Sequence, residues 1–433
     1  MPSTPAEHTV LPTGPQRPKH AQPVSLCRPL QAATIRIHDP WPIGYSIVNP
    51  TTRQLLGGFL TSCVLCSPGY SLADSFFDQF IDPKDGKLDA SQWLAGRTGF
   101  LPVPIVISDP AVGYGAGMAL AFFHDSGEEP PAGDDINARI SLPPSVSVAV
   151  AAYTENDSWI VGGGHIASWK NDSIRYTGLL GYADMNLKFY GVESGSNPAD
   201  RGFNFNVQGT FLLQELLFRI KESDFFLGGR YSYLGTDIDF STLIPIPGVP
   251  RLSLDSSTSG LGLLLRYDSR DNIVSPDQGV YAKFEPMFYN EAFGGDFNYT
   301  KTKLSAVSYW PISNVVLGLR LEGDFTSGDV PFYDAPFIQM RGVPALRYQG
   351  EDVAVAEVEA RWDVTPRWSL LGFVGNGWAG DNIGDLGNTH NVTAGGAGFR
   401  YLIARRLGLR IGLDVARGPE DTVVYMGVGS SWN

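Results

Sequence analysis

Long apolar runs are missing from this sequence. No segment offers about 18 consecutive apolar residues, which argues against a transmembrane helix. Charge is also scarce: charged residues make up 18% of the chain, and the formal net charge is −13. An acidic chain is repelled by the phosphate backbone of nucleic acids, so nucleic acid is not expected as a partner.

Cysteine is rare and confined to the beginning of the sequence. The chain of 433 residues contains Cys27, Cys63 and Cys66, and none follows. Cys63 and Cys66 spell CxxC, but they lie inside the apolar segment 55–66, which argues against a redox or zinc site. Most of the chain is therefore expected to fold without disulfides or thiolate-bound metal.

The segment around these cysteines is typical of a signal peptide. Residues 55–66 have the length of its apolar region, Arg53 precedes them, and small residues before position 74 predict cleavage after Ala73. We therefore interpret residues 1–73 as a misassigned extension followed by a signal peptide. A disordered extension is the alternative for residues 1–50.

The segment 74–101, predicted to be a short periplasmic N-terminal segment, contains an acidic turn. Asp82, Asp85 and Asp89 supply hard oxygen atoms of the kind that calcium prefers. Their spacing is not the EF-hand pattern, so a solvated acidic turn is the favoured interpretation and a calcium site the weaker one. Asp89 also suits the cap of a short helix over residues 90–95.

Familiar catalytic motifs are absent from the sequence. It contains no GxSxG, no HExxH and no zinc-binding HxE pattern, and His124, His165 and His390 are the histidines after position 73. His165 with Ser168 would pair a base with a nucleophile, but both lie in one predicted strand without an identifiable Asn or Asp partner. Residues 375–380 spell GxGxxG without the helix that a dinucleotide site needs. We expect neither enzymatic activity nor a cofactor.

What the sequence has in abundance is alternation with a period of two. In segments 280–289, 315–325 and 407–416, apolar side chains or Gly alternate with positions that carry most of the charge. These segments are about ten residues long, as a tilted strand needs to be to cross a membrane, whereas ordinary strands have about 5–6 residues. The pattern predicts an all-β fold over residues 102–433, a transmembrane antiparallel β-barrel with its apolar face toward lipid and its polar face toward a wet lumen.

The number of candidate strands and the lengths of their connections agree with this fold. There are sixteen candidates, and an even number is expected of a bacterial single-chain barrel. Segments 125–143, 190–203, 236–257, 327–351 and 379–390 are long and the other connections are mostly short, which predicts long outer loops and short periplasmic turns. The predicted strands lie near 103–108, 112–124, 144–155, 158–169, 172–189, 204–219, 223–235, 258–268, 279–290, 296–311, 314–326, 352–363, 367–378, 391–402, 406–416 and 422–432.

Two stretches carry a resemblance to a known family. The first runs from Tyr267 to Gly279 and resembles the YDxRDn…P…G signature of the Omp85 superfamily, also described as surface antigen D15 or BamA/TamA-like barrels. Its residues in this sequence are Tyr267, Asp268, Arg270, Asp271, Asn272 and Gly279.

The second stretch, 340–361, is similar to the long sixth extracellular loop of that family, whose Arg-Gly tip folds into the lumen. The resemblance implies that Arg341 and Gly342 anchor this loop. A buried guanidinium needs an acidic partner, because it is always charged and costly to desolvate. Glu357 and Glu359 share the polar face of the following strand, with Glu359 as the preferred partner; an exposed loop position for Arg341 is the alternative.

The sequence departs from the family in three places. Val343 stands where the family usually has an aromatic residue. Phe373 to Gly377 replaces the family's F-x-D-x-G, so the second acidic partner is missing or replaced by Asn376. Segment 74–101 is too short for a POTRA module, and we expect a barrel that lacks POTRA domains.

The resemblance implies a location in the bacterial outer membrane and a role in outer-membrane assembly or in the translocation of protein or lipid. Outer-membrane lipid and a periplasmic or envelope protein are the partners it suggests. Without POTRA modules as a dock for client proteins, a passive channel or a structural barrel without insertase activity is the alternative.

Overall fold

The protein is described from a computed structural model. All described residues belong to one compact unit, Ser71–Asn433. The predicted signal peptide, its cleavage after Ala73 and the extension before it lie outside the described residues. Those residues are 80–95, 99–109, 111–124, 145–189, 203–240 and 253–432.

Sixteen strands form one antiparallel sheet in which each strand pairs with the next along the chain. The sheet curls into a nearly closed barrel, so the predicted all-β transmembrane barrel is confirmed. The strands are β1 Gly99–Asp109, β2 Gly113–His124, β3 Ser145–Thr154, β4 Trp159–Trp169, β5 Ile174–Phe189, β6 Phe203–Arg219, β7 Phe225–Asp239, β8 Ser253–Asp268, β9 Gly279–Tyr289, β10 Tyr299–Ile312, β11 Val315–Gly328, β12 Asp352–Asp363, β13 Trp368–Gly380, β14 His390–Ala404, β15 Leu409–Arg417 and β16 Thr422–Val428.

In the described ranges, helix is limited to short segments. The helix α1 spans Ser91–Ala95, and the carboxylate of Asp89 accepts a hydrogen bond from the backbone N–H of Ser91 at 2.7 Å, as expected of a cap. No helix in the described ranges is long and apolar enough to cross a membrane. Three 3-10 helices lie in connections: Glu291–Phe293, Ile383–Asp385 and Arg405–Leu407.

The two faces of each strand differ as a membrane barrel requires. On β12, Val358 and Trp362 are 49% and 47% exposed, whereas Glu357 is 1% exposed. Apolar side chains are therefore on the outer wall and charged ones are enclosed, which is the reverse of a soluble sandwich. Since side chains alternate along a strand, this parity also places Glu359 and Arg361 inside.

Only some of the connection lengths follow the predicted asymmetry. The antiparallel order puts the loop 329–351 at one end of the barrel and the turns 313–314 and 364–367 at the other. The predicted outer loop 125–143 lies outside the described residues; the strand ends on either side of it, His124 and Ser145, lie at the end with the short turns. The four residues 155–158 conversely form a short turn at the end with long loops.

The first and last strands meet differently from all other neighbours. Within the described ranges, no backbone ladder joins β1 to β16, although Ser108 of β1 donates a side-chain hydrogen bond to the carbonyl oxygen of Val424 on β16. β16 has 7 residues and β1 has 11. The barrel is therefore closed by a weak seam between these two strands.

The last strand is shorter than predicted. It ends at Val428, and Gly429 turns the chain with a φ of 84°. The prediction that the strand continues to position 432 is therefore wrong, and Trp432 does not share a strand face with Val424. The indole instead packs inside the barrel against Tyr309, at a centroid distance of 6.2 Å, because the glycine breaks the alternation.

Candidate functional site in the barrel lumen

The loop 329–351 between β11 and β12 folds onto the inner wall of the barrel. Its two arms pair with each other, and the backbone N–H of Ile338 donates to the carbonyl of Tyr348 at 2.9 Å. An apolar cluster then fixes the loop to β12, β13 and β14, which buries surface at a place where the lumen is otherwise polar. Its members are Ile338, Met340, Val343, Val353, Val355, Ala379, Val392 and Ala394.

Two glycines of β13 make room for this loop. A Cβ on Gly377 would lie 2.2 Å from Cγ2 of Ile338, and one on Gly375 would lie 2.6 Å from Sδ of Met340. Any side chain at either position would displace the loop. The GxGxxG pattern of residues 375–380 is thus explained by the close packing of β13 against the loop.

Arg341 reaches three carboxylates from the tip of the loop. Its Nη2 lies 2.9 Å from Oε2 of Glu359, its Nη1 lies 3.2 Å from Oδ2 of Asp414, and its Nε lies 3.8 Å from Oε1 of Glu357. The guanidinium also covers the ring of Phe373, with Cζ 3.5 Å from the centroid. With 9% of its side chain exposed, Arg341 is an enclosed loop residue, and the exposed alternative does not describe its position.

Further arginines share the same carboxylates. Arg320 binds Glu357, and Arg400 Nη2 lies 2.8 Å from Asp414 Oδ2. Each of these two acids therefore balances two cations, of which Arg341 is one. Enclosed ions of this kind depend on all members of the network, since loss of one leaves an uncompensated charge.

Asp414 on β15 takes the role that the sequence comparison assigned to Asn376. The amide of Asn376 lies on the outer face of β13, near the side chains of Thr393 and Asn391. The sequence left two alternatives for the second acidic partner in this motif, its absence or its replacement by Asn376. The parity of Asn376, opposite to that of Phe373 and Gly375, excludes the replacement. The signal for Asp414 was its place on the polar face of segment 407–416, two strands beyond the matched motif.

Gly342 allows the loop tip to approach the last two strands. Its φ is 87°, and a Cβ would lie 3.1 Å from the backbone of both Arg417 and Gly418. Its N–H donates to Tyr425 Oη of β16 at 3.0 Å. The loop therefore contacts β15 and β16 from inside, and these contacts were not foreseen from the sequence.

The end of the chain completes the site. Ser431 Oγ lies 3.4 Å from Nη1 of Arg341, and the guanidinium lies 5.6 Å from the centroid of Trp432. Ser430 Oγ is 2.7 Å from Tyr309 Oη of β10. The segment 429–432, called the tail below, thus joins the loop tip to β10.

The signature 267–279 builds the turn between β8 and β9, at the short-turn end. Asp268 pairs with Arg270 and Arg175, each at 2.9 Å, while Tyr267 stacks on the outer wall with Phe225. The structure does not bring these residues to Arg341. One link exists through β12, where Arg361 binds Asp277 of the turn.

The backbone of that turn depends on three other signature residues. Asp271 accepts from the N–H groups of positions 277 and 278, and Asn272 accepts from those of positions 274 and 275. The Asn272 amide also donates to the carbonyl of Leu407 at 2.9 Å. Gly279 has a φ of 107°, and a Cβ there would lie 2.3 Å from the carbonyl oxygen of Ser269. These residues shape the turn and connect it to the turn after β14.

Asp82, Asp85 and Asp89 surround a cation that the protein itself supplies. Each carboxylate lies 2.6 Å from a different nitrogen of Arg367, in the turn after β12. The guanidinium lies between the three carboxylates, at the position where a calcium ion would have to bind. No metal-binding group of three or more His, Cys, Asp or Glu residues occurs in the portion of the chain that the structure describes.

The electrostatics of this cluster follow from its hydrogen bonds. Donation by Arg405 holds the pKa of Asp82 well below its usual value, and donation by Arg367 lowers the pKa of Asp85. Burial alone would raise the pKa of Asp89, but hydrogen bonds from Ser91 and Arg367 lower it overall. The cluster therefore fastens the N-terminal segment to the barrel.

The pair His165 and Ser168 is not formed. Ser168 Oγ donates to Asp172 at 2.9 Å, whereas His165 Nδ1 lies 2.9 Å from Ser147 Oγ, which lies 2.7 Å from His124 Nε2. Ser147 and His165 share the outer face of the sheet, whereas Ser168 has the opposite parity. Sequence spacing could not indicate Ser147, because it lies on the neighbouring strand.

Residues 185–339 match the Omp85 superfamily domain, a range that includes the signature 267–279 and ends just before Arg341. Several solved structures align with the chain. BamA from Haemophilus ducreyi lacking POTRA domains 1-3 aligns at 12% identity and a TM-score of 0.48, covering 82% of this chain and 80% of that one. No curated protein sequence matches the chain.

Two CdiB structures align at similar levels. For CdiB from Acinetobacter baumannii the identity is 10% and the TM-score 0.50, with 77% of this chain and 60% of that chain covered. For CdiB from Escherichia coli the values are 13% and 0.50, with 76% and 61% covered. The chain thus spans less than two thirds of the CdiB chains, and what it shares with them is the fold.

Proposed function

We propose that this outer-membrane barrel of the Omp85 superfamily acts in outer-membrane assembly or in the translocation of protein or lipid, by opening between β1 and β16. The observation that carries the proposal is the seam, where no backbone ladder joins the two strands in the described ranges. The proposal involves no catalysis. A periplasmic or envelope protein and outer-membrane lipid are its expected partners.

The energetic argument starts from backbone hydrogen bonds. In hydrocarbon an unsatisfied N–H or C=O group costs several kcal/mol, so a barrel is normally closed along its full length. A seam held mainly by a side-chain bond from Ser108 to Val424 lacks the repeated bonds that join β6 to β7. The exposed edges of β1 and β16 can instead form backbone hydrogen bonds with a strand of another protein.

The lumenal site supports this proposal by holding one side of the seam. Gly342 binds Tyr425 on β16, and Arg341 binds Asp414 on β15. β16 forms one edge of the seam and β15 pairs with it, and the loop holds both strands from inside the barrel. We infer that the loop and the tail keep β16 in position while the contact with β1 remains easy to break.

A disulfide across the seam tests this proposal. Ser108→Cys combined with Val424→Cys places two thiols on neighbouring outward positions of β1 and β16. A strain that depends on this variant should lose outer-membrane protein or lipid content under oxidising conditions and recover it with a reductant. The matched control is Val415→Cys with Val424→Cys, which links two strands already paired in register. Normal assembly with the seam cross-linked would refute the proposal.

A passive channel is the second candidate, because the lumen retains a charged cavity. Its volume is about 490 Å³, and Lys303, Arg320 and Glu357 lie in its lining. Planar-bilayer recording distinguishes the two functions. Steady ohmic conductance that the seam disulfide leaves unchanged, together with normal assembly, would favour the channel.

A further inference from the structure

An apolar groove lies on the outer wall of the barrel, near the end with the short turns. Trp368 of β13, Tyr401 of β14, Leu413 of β15 and Met426 of β16 contribute to its floor. These positions face outward, where Trp368 and Met426 are 49% and 47% exposed. The groove is therefore open to the hydrocarbon of the membrane, beside the last strand.

The N-terminal segment forms the other side of the groove through Asp85, Lys87 and Leu88. It is fastened to the wall at several points. Tyr401 Oη donates to the carbonyl of Leu88 at 2.8 Å, and the N–H of Ala90 donates to the carbonyl of Ile403 at 2.6 Å. The segment thus turns a convex barrel wall into a concave site.

Size and lining indicate what fills the groove. Its volume is about 830 Å³, and its lining is almost entirely apolar. Small-molecule sites typically measure about 300–1,000 Å³. An apolar concavity that faces lipid cannot stay empty without losing dispersion contacts, and an acyl chain has the shape and polarity to supply them.

Charge at the rim indicates the headgroup. Lys87 lies in the lining and is exposed, and across the described part of the chain no carboxylate pairs with its ammonium. The neighbouring carboxylate of Asp85 is occupied by Arg367. A lysine at the boundary between water and lipid is a point charge suited to phosphate. Trp368 and Tyr401 are amphipathic side chains of the kind enriched at that boundary.

We propose that this groove binds a glycerophospholipid of the periplasmic leaflet, with an acyl chain along Trp368, Leu413 and Met426 and the phosphate at Lys87. The site depends on the outer-membrane location of the barrel and not on seam opening. A lipid bound here contacts β16 and the N-terminal segment together. The two proposals therefore fail independently.

Native mass spectrometry of the full chain in detergent tests the lipid site. The probe is dioleoyl phosphatidylglycerol, and dioleoylglycerol, which has no phosphate, is compared with it. The wild type should retain one phosphatidylglycerol, and Lys87→Gln should reduce its apparent affinity at least fivefold. Lys84→Gln is the matched control, because Lys84 belongs to the same exposed turn but does not line the groove.

A second variant tests the acyl-chain site. Leu88→Asp places a carboxylate in the apolar groove and should weaken both lipids, while Lys87→Gln should weaken only the one with phosphate. Heat-modifiable gel migration reports whether each variant keeps its barrel. Equal retention of phosphatidylglycerol by the wild type, Lys87→Gln and Leu88→Asp would overturn the proposal, as would binding of a hydrophobic peptide in preference to both lipids.

Discussion

The guanidinium of Arg341 lies 5.6 Å from the ring centroid of Trp432, so the tip of the loop and the end of the chain meet inside the barrel. Arg341 comes from the long-loop end, and Trp432 follows the last strand at the short-turn end. Between them they connect β12, β15 and β10 through ion pairs and ring packing. Arg341 therefore links the loop, the tail and the barrel wall inside the lumen, and its removal should have a large effect.

Replacing Arg341 should destabilise the barrel strongly. Arg341→Ala leaves Glu359 without its cation and gives Asp414 and Glu357 only one partner each. Removing one partner of an enclosed ion network costs about 3–5 kcal/mol. Urea unfolding followed by heat-modifiable migration measures the loss. Arg417→Ala, on an exposed side chain that binds Thr422, should change stability by less than about 0.5 kcal/mol. Equal stabilities of the two variants would contradict the assigned role of Arg341.

Gly342 should tolerate no side chain. Gly342→Ala combines an unfavourable φ of 87° with a Cβ that lies 3.1 Å from Arg417 and Gly418. Gly294→Ala is the matched control, since its φ is 96° but its Cβ would meet nothing within 4 Å. The conformational cost, about 1–2 kcal/mol, should be common to both variants. The additional loss of unfolding free energy in Gly342→Ala then measures the steric cost of the close contact between the loop and β15. If both variants unfold at the same urea concentration, the close contact between the loop and β15 makes no difference to stability.

Trp432 should obstruct the lumen. The indole lines the central cavity, so Trp432→Ala should raise single-channel conductance in a planar bilayer. Trp362→Ala, which removes an indole from the outer wall, serves as the control and should leave conductance unchanged. Unchanged conductance in Trp432→Ala would show that ions do not pass the tail.

The N-terminal segment should detach at low pH. The pKa values of Asp82, Asp85 and Asp89 are lowered in the folded protein, so their contribution to docking is complete above the ordinary aspartate value, near 4. It should disappear as the pH falls below that value through the folded pKa values. Limited proteolysis of residues 80–95 between pH 2.5 and 7 measures the change. Arg367→Gln should reduce the pH dependence without abolishing it, because Arg405 still binds Asp82. Equal protection at pH 3 and pH 7 in the wild type would contradict this account.

The sequence predicts the barrel well because the features that determine its strands lie close together along the chain. Alternation, strand length and turn residues determine which segments become strands, and β12 was predicted with the observed bounds. The same alternation placed Glu357 and Glu359 inside. These features depend only on neighbours along the chain, where a period of two is unambiguous.

The partners across the barrel could not be predicted in this way. Asp414 lies 73 positions from Arg341, and Arg367 lies 285 positions from Asp82. Nothing in the local pattern states which polar faces converge after the sheet curls. The last strand was predicted to continue to Trp432 because alternation was extended past Gly429, where a positive φ turns the chain inward.

The central claim is that β1 and β16 form a weak seam. Hydrogen–deuterium exchange of the barrel in lipid nanodiscs tests it directly, because each backbone amide reports its own opening. The account predicts that the amides of 99–109 and 422–428 exchange at least tenfold faster than those of β6 and β7. The disulfide between positions 108 and 424 should slow that exchange. Protection of β1 and β16 equal to that of β6 and β7 would contradict the account.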